Sequence, residues 1–208
     1  MNITIIGAGG GIGLSAVAQA LEKGHQVTAL STKISAMSDH PMLTKIEGNA
    51  TSLADLKRAL QGADVLLVTV GTKNKKATTL FSDIARALIQ AVAEMDYKPA
   101  VLIVTGFGAG ESKRYLNFFM RTVIRFFLKD QYVDKSKMEE LITESALKWE
   151  IVRPGMLTNG ALTRTYKVLP DLYKGMKINK IARYDVAHYL IDEAENQKLL
   201  YQYVAVAS

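Results

Sequence analysis

A chain of 208 residues, 49% hydrophobic and 22% charged, suits one soluble globular domain with a sizeable core. It holds no cysteine, which excludes a disulfide framework, thiolate metal ligation and thiol catalysis. The net charge of +6 is spread along the chain, and its densest cluster, Lys73 to Lys76, falls in a predicted loop. A basic surface suited to an anionic cofactor is therefore expected, without a nucleic-acid partner.

The first apolar run is only a strand long and lacks a basic leader, so no signal peptide is expected and a cytoplasmic location is. That run, with Ile3, Ile5 and Ile6, reads as a buried strand. Five glycines follow between Gly7 and Gly13, and an amphipathic helix is predicted from Leu14. Strand, glycine turn and helix together form the context of a dinucleotide site. Gly7 permits the turn off the strand, a missing Cβ at Gly10 or Gly11 lets backbone approach a pyrophosphate, and Gly13 lets the helix pack on the sheet. The first helical N–H groups would then face the phosphates. The G-x-G-x-x-G spacing fails, since Ile12 stands where its last glycine would be. Gly7, Gly10 and Gly13 satisfy G-x-x-G-x-x-G, while Gly7, Gly11 and Gly13 satisfy G-x-x-x-G-x-G, both short-chain dehydrogenase spacings.

The second strand is predicted over Val27 to Leu30. An NAD site usually carries Asp or Glu about 20 residues beyond the first glycine, to bind the ribose 2′-hydroxyl. Ser31, Thr32 and Lys33 stand there instead. Two hydroxyls and an ammonium suit a 2′-phosphate, so NADP(H) is preferred over NAD(H). A short strand at Lys45 to Glu47 and a capped helix over Thr51 to Leu60 follow. The apolar run Val65 to Val70 predicts a strand buried on both faces, ending at Gly71 and Thr72, where a small residue lets the adenosine side of a cofactor pass closely.

A helix over Thr78 to Met95 and a strand over Ala100 to Val104 come next, then Thr105, Gly106 and Phe107. The stretch Arg114 to Lys129 is rich in Phe and Leu but is interrupted by Arg121 and Arg125. It is too short to span a bilayer, and no membrane partner is expected. It reads first as a helix covering the sheet edge, and next as a subunit interface or an apolar wall of a substrate pocket. A helix over Tyr132 to Leu147, a strand over Trp149 to Arg153, short strand or loop structure around Tyr166 and Ile178, a helix over Tyr184 to Ala194 and a strand over Tyr201 to Val206 complete the chain. The alternation predicts an α/β fold with a doubly wound parallel sheet, Rossmann-like. Residues 1–208 form one domain, with a small substrate-side portion from about Pro154. His25, His40 and His188 lack ligand-like spacing, so no metal is expected.

Six stretches in order carry a family resemblance: Gly7 to Gly13, Ile46 to Leu53, Leu66 to Thr72, Ile103 to Gly108, Asp134 to Gly160 and Ala182 to Leu190. With them the chain resembles the atypical short-chain dehydrogenases related to NmrA-like proteins, of the biliverdin reductase B (flavin reductase) type. The resemblance implies cofactor contacts at Gly7, Gly9, Gly10, Gly11, Ile12 and Gly13, with Ser31, Thr32 and Lys33 at the 2′-phosphate. It implies Asn49, where the family usually has Asp, and Ala50 beside adenine, with Val70, Gly71 and Thr72 bordering the ribose. Thr105, Gly106 and Lys135 would lie toward the nicotinamide ribose, and Pro154, Gly155, Met156 and Leu157 would wall the nicotinamide. Phe107, Phe118, Met156 and Thr158 are the expected substrate contacts.

The departures from the family of ordinary short-chain dehydrogenases bear on chemistry. Their Tyr-x-x-x-Lys proton relay is missing, since Tyr132 has Ser136 at that offset, and Gly106 replaces the serine that often follows the fourth strand. No catalytic residue is assigned, Lys135 and Tyr132 being the candidates. Hydride transfer to a flavin, quinone or similar planar small-molecule acceptor remains open, because such acceptors need no dedicated acid. The alternative is a non-catalytic NADP-binding redox sensor of the NmrA-like type. Nucleotide-sugar epimerisation fits poorly, since only about fifty residues follow Pro154. Both monomer and homodimer are compatible with the sequence.

Overall fold

The computed structural model describes residues 1–72, 77–96, 98–173, 175–176 and 178–208. The Lys73 to Lys76 cluster lies outside the described residues. Ten strands occur among the described residues: β1 (Asn2–Ile6), β2 (Gln26–Ser31), β3 (Leu43–Glu47), β4 (Val65–Val68), β5 (Ala100–Val104), β6 (Lys148–Pro154), β7 (Met156–Thr158), β8 (Lys167–Leu169), β9 (Lys180–Ala182) and β10 (Tyr203–Ala207). The helices are α1 (Gly11–Glu22), α2 (Leu53–Ala59), α3 (Leu80–Ala93), α4 (Phe118–Val123), α5 (Lys129–Thr143) and α6 (Arg183–Asn196). Eight strands make one sheet in the order β3-β2-β1-β4-β5-β6-β10-β8, parallel except for the antiparallel edge strand β8. Strands β7 and β9 pair separately beyond the end of β6.

The sheet is buried on both faces, as its β-branched and leucine-rich strands require. Ile3 and Ile5 face one core layer with Val17 of α1 and Leu190 of α6. Ile6, Leu30 and Leu66 face the other, against Leu56 of α2, Leu88 of α3 and Met138 of α5. Thr4 would be an unsatisfied hydroxyl in that second layer, but it donates to the Ala59 carbonyl at 2.9 Å.

Several boundaries differ from the sequence reading for identifiable reasons. Helix α1 starts at Gly11, not Leu14, since Ile12 and Gly13 are already on its buried face. Helix α2 is capped by Ser52, whose hydroxyl accepts from the Asp55 N–H at 3.3 Å. Helix α3 takes its cap from far away: the buried Asp134 carboxylate accepts from the Phe81 and Ser82 N–H groups at 2.8 and 3.2 Å. The Arg114 to Lys129 stretch forms the end of a 3₁₀ turn, α4, and a π turn over Ile124–Leu128 that runs into α5. Leu116, Met120 and Ile124 turn inward onto Phe107 and the edge strand's Leu169, whereas Phe118 and Phe126 stand in solvent.

One buried group makes stability depend on pH. Glu150 in β6 is fully buried; it accepts from the Tyr189 hydroxyl at 2.5 Å through one oxygen, and its other oxygen meets no well-formed hydrogen bond among the described residues. Burial pushes its carboxyl up to about 8, with the Tyr189 bond opposing and Glu193 adding to the rise. The folded value lies above the unfolded one, so this group's contribution is complete below about pH 4.5 and is lost as pH rises through about 8. Glu150→Gln keeps the acceptor for Tyr189 and removes the charge. It is expected to raise the thermal midpoint at pH 8 by about 3–8 °C and to change it less at pH 5, measured by calorimetry at both values.

Candidate active site

The carboxyl ends of β1 to β6 open onto one edge of the sheet, and the strand order reverses direction at β1, between β2 and β4. Such a switch point leaves a crevice between diverging connections. The glycine turn fills its base. Gly7 has φ +87°, and a Cβ there would lie 2.8 Å from the Val70 nitrogen. A Cβ on Gly13 would lie 2.3 Å from the Gly7 carbonyl oxygen, so α1 sits directly on the end of β1. A Cβ on Gly9 would lie 2.3 Å from the Lys33 carbonyl oxygen and 2.4 Å from the Ser31 hydroxyl. Gly10 alone among the turn glycines has nothing within 4 Å, which leaves its backbone face open at the N-terminus of α1. Ile12 is buried in the core and offers only its backbone.

Ser31, Thr32 and Lys33 follow β2 directly beside this turn. The Ser31 hydroxyl accepts from the Lys33 N–H at 3.2 Å and keeps its own proton to donate. Lys33 is exposed and has no ion-pair partner among the described residues. Beyond β3, the Asn49 side-chain oxygen accepts from both the N–H and the hydroxyl of Thr51 at 3.0 Å. Its amide therefore offers a base a donor rather than the acceptor that an Asp would present. Ala50 and Val70 pack partly on the second core layer, and Gly71 has open space around it. Arg183, at the start of α6, was not legible as a site residue. Its guanidinium donates to the Asn159 side chain at 2.7 Å, and its stem lies 3.6 Å from where a Gly11 Cβ would be. A cation thus stands at the helix N-terminus where an anion would bind.

At the ends of β5 and β6 a second group assembles. The fully buried Arg153 donates to both oxygens of Glu139, at 3.0 and 2.7 Å, and to both oxygens of Glu111, at 2.5 and 3.0 Å. Thr105 donates its hydroxyl to Glu139 at 2.6 Å. Burial works against ionising Glu111, but the Arg153 guanidinium outweighs it and holds that carboxyl below its ordinary range. Glu139 lies on the same face of α5 as Tyr132 and Lys135, by their spacing of three and four residues. Lys135 donates to the Thr105 carbonyl at 2.6 Å and lies 5.2 Å from the Phe81 ring centre and 5.3 Å from that of Tyr132. A Cβ on Gly106 would lie 3.0 Å from the Tyr132 hydroxyl oxygen and 3.6 Å from the Lys135 nitrogen.

The Tyr-x-x-x-Lys spacing is absent, yet a phenol and an ammonium meet against Gly106 by a Tyr-x-x-Lys spacing instead. Burial pulls the Lys135 ammonium down to about 8, with Glu139 opposing. Burial, aided by the Glu139 charge, pushes the Tyr132 hydroxyl up to about 12, so it stays protonated across the physiological range.

Tyr132 also lines a cavity of about 280 Å³ with Phe107, Tyr115, Leu116, Asn117, Met120, Gly155, Met156, Met176, Ile178 and Asn179. Phe107 and Met156, expected as substrate contacts, belong to this lining. Phe118 does not: it is 86% exposed and absent from the lining, because α4 turns its neighbour Met120 inward instead. Thr158 is also outside the lining, its hydroxyl donating to the Ile181 carbonyl at 3.4 Å, and Leu157 packs on the core beside α1 and α6. Pro154 is buried, with its carbonyl accepting from the Phe107 N–H, and a Gly155 Cβ would lie 1.9 Å from the Asn179 carbonyl oxygen. A larger cavity of about 600 Å³ runs along α1 from Gly11 to Leu21, below the helix-free β2–β3 connection, and holds none of this group. Among the described residues no three His, Asp or Glu side chains are placed to hold a metal.

Known proteins share this fold over the whole chain. A reductase, pytE of Aspergillus terreus, is 28% identical in an alignment 201 positions long that covers 76% of this chain and 76% of that one. A Veillonella parvula short-chain dehydrogenase/reductase, solved in complex with NADP, superposes with a TM-score of 0.83 at 19% identity, covering 100% of this chain and 94% of that one. A putative NADH-flavin reductase of Streptococcus pneumoniae superposes at 0.81 with 20% identity, covering 100% and 99%. The model of the NAD(P)H-binding family matches residues 7–197. The open Gly10 face, the helix N-terminus behind it and this match over nearly the whole chain lead to one conclusion: the protein belongs to the NAD(P)H-binding family.

Proposed function

We propose that the protein is an NADPH-dependent reductase of a planar acceptor such as a flavin or quinone. The observation that carries this reading is the placement of Tyr132, with Lys135 beside it, between Gly106 and a largely apolar cavity at the end of β5. A redox sensor has no use for a proton donor there, whereas a planar acceptor, though reducible without a dedicated acid, is reduced faster beside one. When bound, the nicotinamide cofactor supplies a hydride. The residues of the chain do the rest.

The glycine turn and the N-terminus of α1 hold the pyrophosphate, with Arg183 above them. Ser31, Thr32 and Lys33 take the 2′-phosphate. Phe107 and Met156 flank a flat acceptor, and their apolar surface excludes competing water. As charge develops on the acceptor, the Tyr132 hydroxyl donates its proton to it. The Lys135 ammonium offsets the charge left on the phenol oxygen until solvent reprotonates it. The NADP-bound and reductase-named relatives support the class of reaction, and the acceptor is inferred from the shape and lining of the cavity.

Removing the phenol hydroxyl with Tyr132→Phe is expected to lower kcat for acceptor reduction by about 10–100-fold. NADPH affinity should stay within about threefold, because the hydroxyl lies on the acceptor side. Steady-state NADPH oxidation and calorimetric titration of the variant check both; unchanged kcat would remove Tyr132 from the reaction.

The ammonium form of Lys135 is the active one, so kcat should fall as pH rises through about 8. Lys135→Met should lower kcat and abolish that limb of the pH profile. A profile identical to that of the unmodified protein would contradict the role.

The 2′-phosphate assignment predicts that Lys33→Glu weakens NADPH binding by about tenfold or more while leaving NADH within about threefold, measured by calorimetric titration. Equal losses for both cofactors would overturn the preference for NADPH.

A further inference from the structure

Four of the chain's six phenylalanines, Phe118, Phe119, Phe126 and Phe127, lie on α4 and the π turn after it. They are 86, 65, 72 and 59% exposed. So dense a group of aromatic rings in water marks a surface that something covers. Charge says what. Arg121, Arg125 and Lys129 are exposed along the same ridge, with the Arg125 guanidinium 5.9 Å from the Phe126 ring centre. Asp130 is the sole acid in residues 113–133, and the nearby Glu111 carboxylate is taken by Arg153.

A second copy docked about a two-fold axis would set this cationic ridge against itself, which like charges oppose. An anionic bilayer presents the complement: phosphates for the guanidinium and ammonium groups, and an acyl boundary for the rings. The ridge is too short to cross a membrane, and lying on one asks for no such length. We propose that α4 and the π turn form a docking surface for an anionic lipid bilayer. The inner side of the same segment, at Leu116 and Met120, walls the acceptor cavity. Docking thus brings that wall to the lipid, and an apolar acceptor dissolved there is the matching substrate class. That last step rests on the reductase reading, whereas the docking does not.

Co-sedimentation of the full chain with phosphatidylcholine vesicles, with and without phosphatidylglycerol, tests it. Binding is expected only to the anionic vesicles, weakening with added salt. Phe119→Ser/Phe126→Ser and Arg125→Glu/Lys129→Glu should each reduce it by about tenfold or more, with the thermal midpoint unchanged since these side chains are exposed. Absence of binding, or equal binding to neutral vesicles, would overturn the proposal. So would a dimer seen by light scattering that Phe119→Ser/Phe126→Ser dissolves, which would give the face to a second copy. None of these readouts involves NADPH, so their failure leaves the reductase reading to its own tests.

Discussion

The active-site end of the molecule depends on the buried ion pair between Arg153 and Glu139. A charge on a central strand is costly to bury, and here it is matched by two carboxylates, one of them also bonded by the Thr105 hydroxyl, and by the Tyr203 ring 4.0 Å away. Removing either partner would leave the other charged and unpaired in the interior, the kind of change that costs several kcal/mol. The pair fixes α5 to the ends of β5 and β6. Lys135 and Tyr132 lie one and two turns before Glu139 on that helix face, so pinning Glu139 also pins them. Asp134, bonded to the first N–H groups of α3, holds the same helix from the neighbouring side. A helix held at both points gives the phenol a set position against Gly106.

The other end of the crevice is built by missing atoms. Gly13 and Gly7 touch where a methyl group would not fit, and Gly9 lies on the backbone of Lys33. These contacts draw the turn, the end of β2 and the helix N-terminus into one surface. The glycine-turn half and the Tyr132 half therefore have different physical bases. One is close backbone packing that any bulkier residue would force apart, and the other is a buried charge network that tolerates no single deletion.

Much of the first half was legible in the sequence because glycine spacing is a local signal. So was the parallel sheet, whose strands read as short continuous apolar runs. The second half was legible only in pieces. Arg153 at the end of an apolar strand and Glu139 within a helix were not singled out, because nothing local says that they need each other. The Tyr-x-x-x-Lys rule looks for one helical offset, and the neighbouring offset that brings Lys135 to Tyr132 escapes it. Arg183 lies far along the chain from Gly11 and meets it only through the packing of α6 on α1. The Phe-rich stretch was ambiguous because alternate sides of one helix do two things: Met120 faces the cavity and Phe118 faces solvent.

The central claim is that a bound cofactor reacts here rather than merely reporting its redox state. Loss of NADPH absorbance on mixing the protein with a panel of flavins and quinones tests it most directly. Catalytic oxidation with at least one acceptor, and none without an acceptor, is the predicted result. Stoichiometric NADPH binding with no oxidation by any member of the panel would contradict the account and leave the protein as a sensor of its cofactor.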